Sequence, residues 1–166
     1  MASKRTMPRQ QRHNSKQNYG TPADFLAAVK RRLGIEAFSL DIAAERTNAV
    51  CGLYYSEKMN ALRPDLRWGV AGGWSWLNPE FEDIAPWAEK SFRESRRGAQ
   101  IAFLTPASIG ANWYRDWVSY KGLVIPLNGR LKFVGATDQY PKDCILTLFG
   151  PTIAPGYTEP WTWGQA

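Results

Sequence analysis

Six short apolar runs, separated by helix-like stretches and turn residues, constrain the fold of this 166-residue chain more than any other feature. They are Ala37–Ile42, Trp74–Leu77, Ile101–Leu104, Leu123–Leu127, Leu131–Val134 and Cys144–Phe149. Each is far shorter than the ~20 residues a membrane helix needs. Between them lie segments of helical periodicity. Thr21-Pro22 reads as an N-cap followed by proline at the first helical position, where a missing N–H costs nothing. Phe25, Leu26, Val29 and Leu33 then share a face, and Gly34 ends the helix. Glu82 and Asp83 open a second helix, with Ile84, Trp87, Ala88, Ser91 and Phe92 on one face and Arg96-Arg97-Gly98 at its close. Trp113–Tyr120 is a weaker third. Continuous apolar runs alternating with helices predict a single, mostly parallel sheet covered on both faces.

The length suits one domain, and about two-thirds of the unfolded surface of such a chain can be buried. The expected division is a disordered basic tail over 1–18, a folded domain over 19–150, and an irregular segment rich in Trp, Pro and Gly over 151–166. Charge is uneven. Lys4, Arg5, Arg9, Arg12 and Lys16 share the first 18 residues with no acid, while the other 148 residues hold 16 basic and 15 acidic groups. Such a tail has nothing to bury against the entropy of ordering. It is either an electrostatic arm for nucleic-acid phosphates or a solvated tail that aids solubility. No apolar leader follows Met1–Arg5, which predicts a cytoplasmic protein. Cys51 and Cys144 make neither a disulfide framework nor a metal spacing, and a single histidine, His13, argues against zinc or a Ser-His-Asp triad. No metal is expected.

Three runs end in polar or turn chemistry: Asp41, Asn78-Pro79 and Thr105-Pro106. Ligands of parallel sheets bind at the carboxyl ends of the strands, so these ends are the candidate site. Asn78 followed by Pro79 offers a carboxamide oxygen and a main-chain carbonyl to one exocyclic amine. Phe81, two residues after the proline, is placed to stack on the base that bears the amine. Asn-Pro is also an ordinary turn starter. Most tryptophans read as core; Trp161 and Trp163 either stack on bases or fold back on an apolar patch, packing being the expectation. Tyr54 and Tyr55 read as packing residues, and Arg130, after Asn128-Gly129, marks a turn with a candidate phosphate contact.

The ordered set Tyr19-Gly20-Thr21-Pro22, Phe38–Ala44, Trp76-Leu77-Asn78-Pro79, Trp87-Ala88-Glu89-Lys90, Leu104–Ala107, Asn112-Trp113 and Gly129–Phe133 resembles the phage-type DNA N6-adenine methyltransferases, the phage Dam-like family, over about residues 19–149. The resemblance implies a Rossmann-like class I methyltransferase fold, S-adenosylmethionine as donor, and adenine N6 in double-stranded DNA as acceptor. It implies that Asn78, Pro79 and Phe81 form the catalytic motif and that Tyr19, Thr21, Pro22, Asp41, Ala43, Ala44 and Asn60 hold the donor. The five tail cations and Arg130 are the expected DNA contacts. Two positions depart from the family pattern: Glu80 replaces a proline, and Asn60 stands where an Asp is common. Glu80 is expected to cap the following helix rather than point into the site. Alternative readings are a methyltransferase for another amine, on an RNA base or protein glutamine, and a catalytically attenuated nucleic-acid-binding relic. A phage or prophage origin follows from the resemblance alone.

Overall fold

A computed structural model describes residues 20–165. Its single sheet contains β1 (Leu40–Asp41), β2 (Trp74–Leu77), β3 (Gln100–Pro106), β4 (Leu123–Asn128), β5 (Cys144–Phe149), β6 (Gly156–Tyr157) and β7 (Trp161–Thr162). The order is β1-β2-β3-β5-β4-β6, with β7 also paired to β4. Three helices complete it: α1 (Ala23–Leu33), α2 (Ala85–Ser95) and α3 (Asn112–Trp117).

The sheet is mixed, which corrects the mostly parallel expectation. β1, β2 and β3 are parallel, but β5 runs antiparallel to both β3 and β4. All six residues of β5 are buried, and a fully buried apolar run carries no alternation from which direction is read. The deciding element is the connection 129–143, which holds no helix. A parallel neighbour requires a crossover, usually helical, whereas a returning strand does not. Within that connection Leu131–Val134 is not a strand. Leu131 and Phe133 are buried, Val134 N–H donates to Gly20 C=O, and Tyr140 N–H donates to Leu131 C=O.

Helices cover both faces, as expected. Alternation along β3 divides the core: Ala102 and Leu104 pack with Phe25 and Val29 of α1, while Ile101 and Phe103 pack with Ala88 of α2 and Tyr114 of α3. α1 begins one residue later than predicted, with Pro22 at the N-cap, and ends at Gly34 in the left-handed region (φ 67°). α2 starts at Ala85, so Glu82 and Asp83 lie before it and Glu80 provides no cap. α3 stops before Tyr120, whose φ of 54° cannot continue a helix. Thr105-Pro106 belongs to β3 and is buried, not a strand-end turn. The segment after Gly150 is not irregular throughout, since it contributes β6 and β7 to the edge of β4. Trp161 and Trp163 fold back on α1, with ring centroids 6.2 and 5.2 Å from Phe25, and Trp163 Nε1 donates to Gly129 C=O. Cys144 is buried, whereas Cys51 is only half-buried, and both are free thiols. Among the described residues no helix is long and apolar enough to cross a membrane.

Gly122 shows how tightly β4 meets β5. A Cβ there would lie 2.7 Å from Thr147 Cγ2 and 3.0 Å from Leu148 O. Gly122→Ala is expected to destabilise the fold by about 1–3 kcal/mol through overpacking, read as a lower midpoint in denaturant unfolding with an unchanged slope.

Candidate active site

Two cavities open at the carboxyl ends of the parallel strands and meet at one residue. The first, about 290 Å³, is bounded by Gly20, Thr21, the turn 41–50, Tyr55–Glu57, Asn60 and Trp87. The second, about 270 Å³, is bounded by Pro79, Phe81, Phe133 and the loop 136–141. Both volumes fall near the lower end for small-molecule sites. Asn78 lines both cavities. The chain then alternates, with Pro79 and Phe81 facing the second cavity and Glu80 facing the first. The four-residue motif is thus shared between two compartments.

Asp41 ends β1 and organises the wall of the first cavity. It is 3% exposed; its Oδ1 accepts Ala43 N–H at 3.3 Å and its Oδ2 accepts Val50 N–H at 3.0 Å. Thus one carboxylate ties both ends of the 43–50 turn. Inside that turn Asn48 Oδ1 accepts Glu45 N–H at 2.7 Å. Burial raises the Asp41 carboxyl to about 6, against the opposing pull of its two backbone donors.

The opposite wall depends on α2. Lys90 Nζ donates to the carbonyls of Ala61, Arg63 and Leu66, and the buried Glu94 accepts Trp68 N–H at 3.0 Å. These bonds satisfy a turn-rich segment that pairs with no strand. Trp68 is fully buried, stacks on Trp87 at 5.9 Å, and donates from Nε1 to Ala61 C=O. Asn60 adopts φ 51°, a conformation asparagine tolerates, and its Oδ1 accepts Leu62 N–H at 3.3 Å. Tyr55 reaches across this wall to donate from Oη to Arg67 C=O at 2.7 Å.

The electrostatics of the two cavities differ. Asp41, Glu45, Glu57, Glu80, Glu82 and Asp83 line the first with no Lys or Arg among the lining residues, while Arg46 and Lys58 adjoin Glu45 and Glu57 in sequence. Among the described residues none of these six joins an ion pair; the paired acids are Asp65, Glu89, Glu94, Asp116 and Asp143. The second cavity is aromatic. Phe81, Phe133 and Tyr140 meet edge to face, with centroids 6.0, 5.5 and 5.8 Å apart. Burial pushes the Tyr140 phenol up to about 12, so it stays protonated near neutrality. Exposed Lys132 and Lys142 adjoin the lining residues Phe133 and Pro141.

Of the sequence-predicted residues, Thr21, Asp41, Ala43, Ala44, Asn60 and Asn78 meet at the first cavity, and Asn78, Pro79 and Phe81 at the second. Pro22 lines neither, serving instead at the start of α1. Arg130 is exposed, 3.6 Å from Asp143, and also lines neither. Tyr19 and the cations Lys4, Arg5, Arg9, Arg12 and Lys16 lie outside the described residues. Tyr55 and Trp87, expected to pack, also face the first cavity, and Phe133 and Tyr140 complete the second. Phe133 was legible as part of an apolar run and of the Gly129–Phe133 segment that carries the resemblance, and Tyr140 carried no local signal. No group of three or more His, Cys, Asp or Glu placed to hold a metal occurs among the described residues.

The fold is a mixed sheet with helices on both faces, and a carboxylate-lined cavity and an aromatic cavity meet at the Asn-Pro-Glu-Phe segment. The chain belongs to the DNA N-6-adenine-methyltransferase (Dam) family, whose model matches residues 9–154. It is 30% identical over 98 residues to the DNA N-6-adenine-methyltransferase of Escherichia phage T1. That match spans 59% of this chain and 39% of the phage protein. No solved structure matches the chain.

The buried carboxyl gives a pH signature. A group raised from 3.8 to about 6 on folding binds its proton more tightly in the folded state. Its contribution to stability is therefore full below pH 4 and lost as pH rises through 6, by about 3 kcal/mol. Urea unfolding at pH 4 and pH 7 should show Asp41→Asn gaining on the parent chain by about that amount at the higher pH.

Proposed function

We propose that this chain transfers a methyl group from S-adenosylmethionine to the N6 amine of adenine in double-stranded DNA, on a Rossmann-like class I scaffold. The observation that carries the reading is the position of Asn78, shared by a carboxylate-lined cleft and an aromatic cavity. The family supports the reaction, and the chemistry of the two cavities supports the assignment of each substrate.

The first cavity fits the donor. S-adenosylmethionine carries an ammonium, a sulfonium and one carboxylate, so its net charge is positive, and a lining with six acids and no Lys or Arg favours such a ligand there. The same field disfavours a DNA phosphate. Asp41 faces the ammonium end through the turn it organises, while Ala43 and Ala44 leave room for the ligand against the backbone. Asn60 and Trp87 border the adenosine end. Glu80 in the catalytic motif belongs to this compartment, which explains why a carboxylate is tolerated in place of a proline.

The second cavity takes the target base. An adenine inside a duplex presents its amine to its partner base, so it must leave the stack to react. Phe81, Phe133 and Tyr140 replace the lost stacking and exclude water. Asn78 Oδ1 and the Pro79 carbonyl accept the two N6 hydrogens, which turns the nitrogen lone pair toward the first cavity. When bound, the donor supplies the activated methyl and its own leaving group. No histidine or cysteine is needed. Gly20 lines the first cavity, and its carbonyl accepts Val134 N–H, next in sequence to Phe133 of the aromatic cavity.

Labelled methyl transfer to DNA tests the reading directly. Asn78→Ala is expected to lower the single-turnover rate by roughly 100-fold or more, in line with loss of a polar group that acts on the reacting centre. Donor affinity by calorimetry should change by less than about threefold. Deleting residues 2–17 should weaken DNA binding and flatten its log–log salt dependence by up to about 4 units, the share of five phosphate contacts. An unchanged salt slope removes the arm from the scheme.

A further inference from the structure

We infer that Thr21 is a positioning residue for the acceptor, acting through the carboxamide of Asn78 rather than on the donor. This rests on the reading of Asn78 as the group that receives the N6 amine. A carboxamide has two ends of nearly equal size and opposite hydrogen-bonding character. Only the oxygen end accepts from an amine; the NH₂ end, turned to the same place, meets another donor. A catalytic asparagine on a free rotor therefore needs a second partner to hold its carboxamide in place, a task open to a hydroxyl, which both accepts and donates.

Thr21 supplies that partner. Asn78 Nδ2 donates to Thr21 Oγ1 at 3.1 Å, across 57 residues of sequence. The bond occupies the NH₂ end, and no described residue donates to Oδ1, which is left for the incoming base. Thr21 is 8% exposed, so bulk water has little access to take the place of its hydroxyl. The backbone on either side of Thr21 is itself held. Before it, Gly20 C=O accepts Val134 N–H at 2.9 Å; after it, Pro22 C=O accepts Leu26 N–H at 3.0 Å and opens α1. α1 is in turn fixed by Phe25 and Val29, both fully buried. The oxygen that orients Asn78 thus belongs to a rigid helix entry rather than a loose loop. Thr21 also borders the first cavity, which is why its place in the sequence suggests a donor contact.

The role separates from a merely structural one by where its loss is felt. Thr21→Val keeps the shape and removes the acceptor oxygen; Thr21→Ser keeps the oxygen and removes the methyl. Single-turnover methylation of adenine-containing duplex DNA should fall roughly 10- to 100-fold in Thr21→Val and return to within about threefold in Thr21→Ser. Donor affinity by calorimetry and the thermal midpoint should stay close to the parent chain in both. In an Asn78→Ala background, Thr21→Val should change the remaining rate by less than about twofold, because the group it orients is gone. Independently of turnover, the Asn78 side-chain NH₂ resonances should be protected from solvent exchange in the parent chain and lose that protection in Thr21→Val.

Equal rates for Thr21→Val and an active parent overturn this role alone. So do additive effects with Asn78→Ala, or a loss of donor affinity that accounts for the loss of rate. A parent chain that transfers no methyl to adenine overturns the functional reading and this role with it.

Discussion

The register of β2 is the constraint on which the site depends. All four residues Trp74–Leu77 are buried, with Trp76 packing toward α1 and Leu77 toward α2. A slip of one residue would exchange those faces, so the register is held by the whole core. That register pairs Asp41 with Trp76 and Leu77 with Phe103. Asp41 is thereby set two residues behind Asn78 on the neighbouring strand, and both emerge at one edge of the sheet. The residue that follows a fully buried strand is the first free to face a cavity, and here it faces two.

Around that edge the chain uses few polar groups to shape long irregular segments. Asp41 gathers the 43–50 turn, while Lys90 and Glu94 gather the segment that follows Asn60. Each satisfies backbone groups that no strand would satisfy. The cost is visible in the raised carboxyl of Asp41 and in a Lys90 ammonium shifted downward by burial. Asp41 lines the first cavity, whereas Lys90 stands behind its wall, bonded to the lining residue Ala61.

Much of this was legible in the sequence because short-range chemistry carried it. The α1 boundaries follow from Pro22 and Gly34, and β2, β3 and β5 from apolar runs, although β3 continues through Thr105-Pro106, which read as its end. Asn78, Pro79 and Phe81 share a motif, so their joint placement needed no knowledge of distant contacts. Strand direction was not legible, since a buried run such as Cys144–Phe149 reads alike in either orientation. Glu80 was misread as a cap because local charge near a helix start suggested one, while the alternation after β2 sends it to the first cavity. Tyr140 was missed because it reaches Phe81 only through the fold of the 129–143 connection. The bond from Asn78 to Thr21, 57 residues away, has no sequence signature at all.

The last strands bear on how this protein behaves in a crowded solution. A long unpaired edge offers its free N–H and C=O groups to any other extended chain. Here β6 covers the start of β4, pairing at Leu123 and Val124, and β7 covers its end at Leu127 and Asn128. On the far flank β1 is only two residues long and is screened by a bridge to Tyr54. Each flank of the sheet therefore ends in pairings of only one or two residues, which leaves short edges rather than one long one.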